Sequence, residues 1–182
     1  MAAPRKRIPS TETRAKILAA SRRAFSRAGF DQLGVRELAE EADVDPAIVI
    51  RLFGSKEALF AAVARTAFAL EPPFAGPIDG ARIAHVLTGK TAAAPDDGFD
   101  EFAFLMRSAA SPIAAPILAA ALHAGFVAPL AEQLGGKEAS QRAMLLTACV
   151  LGFSTLRYAL GMGSLDAKAR KRFGAVLQAC LD

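Results

Sequence analysis

The chain has no tryptophan, a single tyrosine, two cysteines and two histidines in 182 residues. His85, His123, Cys149 and Cys180 make no metal-ligand spacing, and no Ser-His-Asp set, Cys-His set or glycine-rich phosphate loop is visible. The expectation is a protein that is not an enzyme and takes no metal or cofactor. The cysteines fall in apolar helical patterns, where they pack as small core groups, and a reducing cytoplasm is the simplest setting for them. Long apolar runs are also missing: none reaches the ~20 residues a membrane-spanning helix needs. Residues 1–10 carry charge but no following apolar core of signal-peptide type. Strand-like alternation is scarce as well, which leaves a soluble, intracellular, all-helical chain with no membrane partner as the expectation.

What is present is unevenly placed. Residues 1–30 hold eight Lys or Arg against one acid, Glu12. Residues 1–66 hold twelve bases and eight acids, whereas residues 67–182 hold ten of each, so the whole net charge of +4 belongs to the N-terminal third. A concentrated basic region releases counterions when it meets phosphate, which points to nucleic acid or an anionic surface. A solubilising tail is the alternative reading of charge alone. The 53% hydrophobic content suffices to fill a core.

Ala, Leu and Arg dominate, all good helix formers. Residues 1–9 read as a flexible basic arm. A helix follows over about 10–28, with Ile17, Leu18, Ser21, Ala24 and Phe25 on one stripe and Gly29 as its terminator. A short helix over about 35–42 and a tight turn at Asp43-Val44-Asp45 lead to a third helix, about 46–52, with Asp45 as cap and Pro46 in first position. Gly54 breaks that helix and Ser55 caps a fourth, from Lys56 to about Leu70. Glu71-Pro72-Pro73 marks the clearest change in composition. Beyond it helices are expected at about 80–90, 98–110, 112–133, 137–161 and 166–181. The domains expected are the arm 1–9, a first helical domain 10–56 and a second helical domain 57–182.

Two short helices joined by a tight turn cannot fold alone and must pack on their neighbours. That arrangement is a helix-turn-helix, whose second helix projects into a major groove about 12 Å wide. Leu38, Ala39, Val44, Val49, Phe53 and Leu59 are its expected core. The stretch Gly29-Phe30-Asp31, Val35-Arg36-Glu37-Leu38-Ala39, Ala42-Asp43-Val44-Asp45 and Arg51-Leu52-Phe53-Gly54-Ser55-Lys56-Glu57-Ala58-Leu59 resembles the DNA-binding domain of the TetR family over about residues 10–60. The resemblance implies an all-α fold of about nine helices, a three-helix helix-turn-helix domain followed by a regulatory and dimerisation domain. It implies that Arg36 reads a base or grips phosphate, that Pro46, Ala47 and Ile48 form the exposed face of the recognition helix, that Arg51 reaches DNA, and that Lys56 meets phosphate. The chain departs from the family where an aromatic Tyr is usual and Ile50 stands, where His or Tyr is frequent and Leu52 stands, and where a Ser or Thr cap is common and Gly34 stands. Ile50 and Leu52 supply no hydrogen bond to the DNA backbone. Arg5, Lys6, Arg7, Arg14 and Arg51 are candidates to compensate, and Ala47 and Ile48 suit thymine methyl groups.

The second half is apolar, with a few larger or polar side chains at helical spacing. Phe99, Phe102, Leu105 and Met106, with His123, Phe126, Cys149, Phe153 and Tyr158, are candidates to line a pocket for a small-molecule effector; plain packing is the alternative. Leu145, Cys149, Gly152, Phe153 and Leu156 form one apolar stripe and Phe173, Val176, Leu177 and Cys180 another, suited to a four-helix interface in a homodimer. The function expected is a sequence-specific transcriptional regulator on a palindromic operator in double-stranded DNA, a repressor released by its effector. An activator of the same fold, or a helical interaction module with a degenerate motif, is the alternative.

Overall fold

The computed structural model describes residues 10–68, 78–88, 98–162 and 164–182. The expected basic arm at 1–9 lies outside them. Among the described residues all regular structure is helical: α1 (Ser10–Ala28), α2 (Val35–Glu41), α3 (Pro46–Phe53), α4 (Lys56–Ala67), α5 (Gly80–Thr88), α6 (Glu101–Ser108), α7 (Ala114–Leu134), α8 (Ala139–Ser154, continued by a wide turn Thr155–Ala159) and α9 (Ala167–Ala179). The all-helical class and the helix order match the sequence reading. The local signals act as expected. Asp45, Asp100 and Asp166 each accept a backbone N–H at the start of a helix, which satisfies donors the helix itself cannot.

Two places widen to a π turn. Within α7, the Ala128 N–H bonds back to the His123 carbonyl, five residues earlier. Pro129 follows directly; it has no N–H for the Gly125 carbonyl and its ring would crowd that carbonyl in a regular helix. The wide turn accommodates both, so the helix continues through the proline instead of ending there. One expectation is corrected by this continuity. α7 has 21 residues and an 18-residue stretch of mean hydropathy 1.7, long and apolar enough by length and composition to cross a membrane. Counting uninterrupted apolar residues missed it. Ala114, Leu118, Ala121, Val127 and Leu130 on this helix are buried within the protein, 28% of that stretch.

The chain forms two compact units. The first comprises the described parts of residues 1–64 and 95–118, and the second those of 65–94 and 119–182. A boundary at residue 56 was expected; the first unit instead keeps most of α4 and gains α6. Its centre is aromatic. Phe60 of α4 lies 5.0 Å from Phe25, 5.0 Å from Phe30 and 4.8 Å from Phe104, centroid to centroid. Phe99 adds a fifth ring 5.6 Å from Phe104, with the Arg22 guanidinium over its outer face at 4.0 Å. All five rings are fully buried, each contributing about 1.5–3 kcal/mol of transfer free energy. Phe99, expected as a pocket wall, is therefore core.

α6 is fixed to the end of α1 by polar contacts as well. Arg107 donates to the carbonyls of Ser26 and Arg27. The Phe30 N–H donates to Ser108 Oγ at 3.1 Å, and Ser111 Oγ donates to Asp31 at 2.9 Å. Gly29, at φ +77°, terminates α1, and a Cβ there would sit 2.6 Å from the Arg107 carbonyl oxygen. Glycine is required at this position twice over, for the left-handed backbone and for the approach of α6.

The second unit closes on Ile83, Ala84, Val127, Leu130, Ala143, Leu146, Leu177 and Leu181. α5 lies along α9 with backbones almost touching. A Cβ on Gly80 would come within 2.2 Å of the Gly174 carbonyl oxygen and 2.4 Å of the Gln178 nitrogen, and the Gly80 N–H is taken by Gln178 Oε1 at 3.0 Å. Those atoms are backbone and cannot swing aside. Gly80→Ala is expected to force the two helices apart and cost about 1–3 kcal/mol, read as a lower denaturant midpoint; an unchanged midpoint would refute the close crossing.

Candidate nucleic-acid interface

α2 and α3 have seven and eight residues, too short to persist alone, so their ends are secured individually. At the start of α2, Gly34 offers no side-chain cap. Glu37 reaches back instead and its Oε2 accepts the Gly34 N–H at 2.9 Å. A Cβ on Gly34 would lie 2.8 Å from that carboxylate, so the absent hydroxyl and the placement of Glu37 form one arrangement. At the end of α2 the Val44 N–H bonds the Ala39 carbonyl at 3.0 Å and the Asp43 N–H bonds that of Glu40 at 2.9 Å. This is a Schellman turn, with Asp43 at φ +48° where glycine is usual. Lys16 of α1 sits over it, 3.4 Å from the Asp43 carboxylate, an exposed pair of small energetic weight.

α3 opens with Asp45 Oδ1 accepting the Ala47 N–H at 2.8 Å and Pro46 in its first turn. Leu38, Ala39, Ala42 and Val49 are buried, and the two helices pack through them. The far end of α3 is held by Arg14, whose guanidinium donates to the Leu52 carbonyl and stacks 4.1 Å from the Phe53 ring centroid. Phe53 and Val44, expected as core, are only half-buried: Phe53 gives one face to that arginine.

The exposed residues of α3 are Pro46, Ala47, Ile50 and Arg51, spaced so that they share one face of the helix. Ile48, expected on this face, is half-buried, and Ile50 takes the place with 43% of its surface exposed. Arg36 and Arg51 are exposed, and neither side chain is bonded to any described residue. Lys56 differs. Its ammonium donates to the carbonyls of Phe30 at 3.2 Å and Leu33 at 2.9 Å and lies 3.8 Å above the Phe30 ring. It fastens the start of α4 to the α1–α2 connection. A cation beside the positive end of a helix is unfavourable; these two carbonyls and the ring face offset it. Beside it, Ser55 Oγ accepts the Ala58 N–H at 3.1 Å, and a hydrogen bond from the Ser55 side chain, with one from the backbone, holds the Glu57 carboxyl below its ordinary range.

The residues expected to line an effector pocket fall in both units. Phe102, Leu105 and Met106 are on α6; His123, Phe126, Cys149, Phe153 and Tyr158 belong to the second unit. Phe126 and Cys149 pack against the buried cluster of that unit, and Phe153 stacks on Phe173 at 4.7 Å. His123 and Tyr158 are exposed. Two crevices lie among the described residues, one of about 510 Å³ beside Ala24, Leu33 and Glu37, one of about 470 Å³ beside His85, Arg170 and Gly174. None of the eight candidates lines either. Among the described residues no group of three or more His, Cys, Asp or Glu is placed to hold a metal ion.

Two short helices set about a tight turn, the second with a free face, define a helix-turn-helix DNA-binding protein. The family model for bacterial regulatory proteins of the tetR family matches residues 17–63, and that for the tetracyclin repressor-like C-terminal domain matches residues 78–181. The chain belongs to the TetR family of DNA-binding transcription regulators. Its fold is also that of several solved structures. A TetR-family transcriptional regulator from Rhodococcus sp. superposes with a TM-score of 0.67 at 20% identity, over 94% of this chain and 100% of the other. Salmonella enterica GusR gives 0.67 at 21%, over 97% and 98%. A transcriptional regulator from Saccharomonospora viridis in complex with choline gives 0.58 at 17%, over 92% and 96%. No curated protein matches the chain.

Replacing Lys56 by Met keeps the stem over the Phe30 ring but leaves the carbonyls of Phe30 and Leu33 without their shared donor. The expected loss is about 1–3 kcal/mol, read by chemical denaturation. Wild-type stability in Lys56→Met would show that the ammonium is not structural.

Proposed function

We propose that the protein is a sequence-specific repressor that binds a palindromic operator as a homodimer and releases it when a small molecule binds its helical second part. The observation that carries the DNA-binding half is the exposed face of α3 (Pro46, Ala47, Ile50 and Arg51) together with Arg36 on α2, whose side chain is bonded to no described residue. Arg51 and Arg36 supply charge and hydrogen bonds. Ala47 and Ile50 supply apolar contact suited to thymine methyl groups. Ile48 stands at the edge of this face, and Lys56 acts mainly by holding the scaffold that presents it. Residues 5–7 and Arg14 were candidates to compensate for the missing backbone contacts; the first lie outside the described residues and Arg14 is committed to the end of α3.

Dimerisation is supported by a line of exposed small and apolar residues on α8: Met144, Leu145, Ala148, Gly152 and Leu156. They recur at helical spacing on one face, and a Cβ on Gly152 would meet nothing within 4 Å, which leaves room for a partner helix to approach closely. Phe153, Phe173 and Leu177, expected in the interface stripes, are instead used inside the chain. A two-fold dimer would set two recognition helices at half-sites about 34–36 Å apart. The effector half of the reading is supported by the apolar second part and by the choline held in the Saccharomonospora viridis regulator. A ligand that displaces α6 would act on the end of α1 through Arg107, Ser108 and Ser111.

Mobility-shift titration against the upstream region of the gene tests the operator. Affinity should fall steeply with salt and exceed that for scrambled DNA of the same length; equal affinity for both would overturn sequence-specific regulation in favour of an interaction module. Arg36→Ala and Arg51→Ala should each weaken binding by about 1–3 kcal/mol if they read bases, or lower the salt slope by about one if they hold phosphate. Neither effect in either variant would remove this face from the interface. Gly152→Leu should convert dimer to monomer by sedimentation, and a dimer of wild-type strength would place the interface elsewhere.

A further inference from the structure

The second unit holds both cysteines of the chain, and they face each other. Cys149 lies in the middle of α8 and Cys180 at the end of α9, with the sulfur atoms 4.0 Å apart. Both side chains are half-buried, with an edge open to solvent, and both pack against the cluster of Ile83, Leu146 and Leu177. A disulfide needs the sulfurs at about 2.0 Å with Cβ atoms about 3.5–4.5 Å apart. The two thiols are already in contact, so a side-chain rotation and a small approach separate the present arrangement from a bond.

From this juxtaposition we infer that Cys149 and Cys180 form a reversible oxidative modification site, closed to an intramolecular disulfide by hydroperoxides. One thiolate attacks the peroxide oxygen. An S–O bond forms, the O–O bond breaks, and the alcohol or water leaves with a proton. The second thiolate attacks the sulfenic sulfur; the S–S bond forms, the S–O bond breaks, and hydroxide leaves as water. The two thiols lose two electrons and two protons, and the peroxide accepts them. A second thiol in contact with the first favours closure over further oxidation to sulfinic acid. Burial, with Cys149 beside it, pushes the Cys180 thiol up, so Cys180 rests as the thiol and responds to sustained oxidant.

The bond would tie the end of α9 to the middle of α8 and close a loop between positions 31 apart in sequence. Restricting the unfolded chain in this way stabilises the unit. Neither helix belongs to the helix-turn-helix, so the inference does not rest on DNA binding.

The test treats the full-length protein with hydrogen peroxide and follows it by intact mass, by peptide mapping without reductant and by thermal unfolding. The expected result is loss of two hydrogens, a single cross-linked peptide pair carrying Cys149 and Cys180, and a rise of several degrees in the unfolding midpoint that dithiothreitol reverses. Cys149→Ser and Cys180→Ser should lose both the link and the rise. Wild-type peptides that remain unlinked while an exposed reference thiol is fully oxidised would overturn the inference. So would a link only between two copies of the chain, or sulfinic acid as the main product. Because the mass readout uses the unmodified sequence, a poorly folding serine variant leaves the test decisive.

Discussion

Phe60 is the ring on which the first unit turns. It is in contact with Phe25 from α1, Phe30 from the connection after it and Phe104 from α6. Edge-to-face and tilted pairs of this kind fix angles as well as distances, and here they fix the helices that carry the reading head. None of the three rings against Phe60 comes from α2 or α3. These two helices are positioned at one remove, by Leu38 and Val49 packing inward and by single polar fastenings from residues on the aromatic frame: Lys16 to the turn, Arg14 to the end of α3, Lys56 to the carbonyls of Phe30 and Leu33.

Those three cations show how a basic segment can mislead. Counted as charge, Arg14, Lys16 and Lys56 look available to phosphate. In the fold Arg14 and Lys56 spend their head groups on carbonyls and a ring, and Lys16 is held only by an exposed pair with Asp43. Among the described residues Arg36 and Arg51 have no side-chain partner, and the exposed face of α3 carries one charge, Arg51, beside Pro46, Ala47 and Ile50.

Much of the fold was legible because its signals are local. Gly29, the Asp45-Pro46 pair and the Gly54-Ser55 pair each act within a few residues, and the helix starts and stops follow them. The placement of α6 was not legible. Arg107, Ser108 and Ser111 meet partners about eighty positions away, and nothing in the periodicity of α6 says which surface it covers. Phe99 looked like a pocket wall for the same reason: an aromatic at helical spacing is the same in a cavity and in a core. On α3, Pro46, Ala47 and Arg51 are exposed as expected, but Ile50 rather than Ile48 turns outward with them, because the inward packing of Val49 decides which isoleucine does so. The eight pocket candidates were chosen as apolar side chains with a few polar ones at helical spacing, a pattern that plain packing also produces.

The composition of the first unit bears on how the molecule comes into being. Its hydrophobic centre is supplied by two stretches of chain, the second reaching from Phe99 to Leu118. During synthesis Phe25, Phe30 and Phe60 are made before Phe104 and have nothing of it to cover them until 44 residues beyond Phe60 have been added. At translation rates of about 5–20 residues per second, the nascent reading head spends several seconds with its aromatic side open to water or to a chaperone. A gene fragment that ends after α4 would encode a permanently unfinished version of the same object.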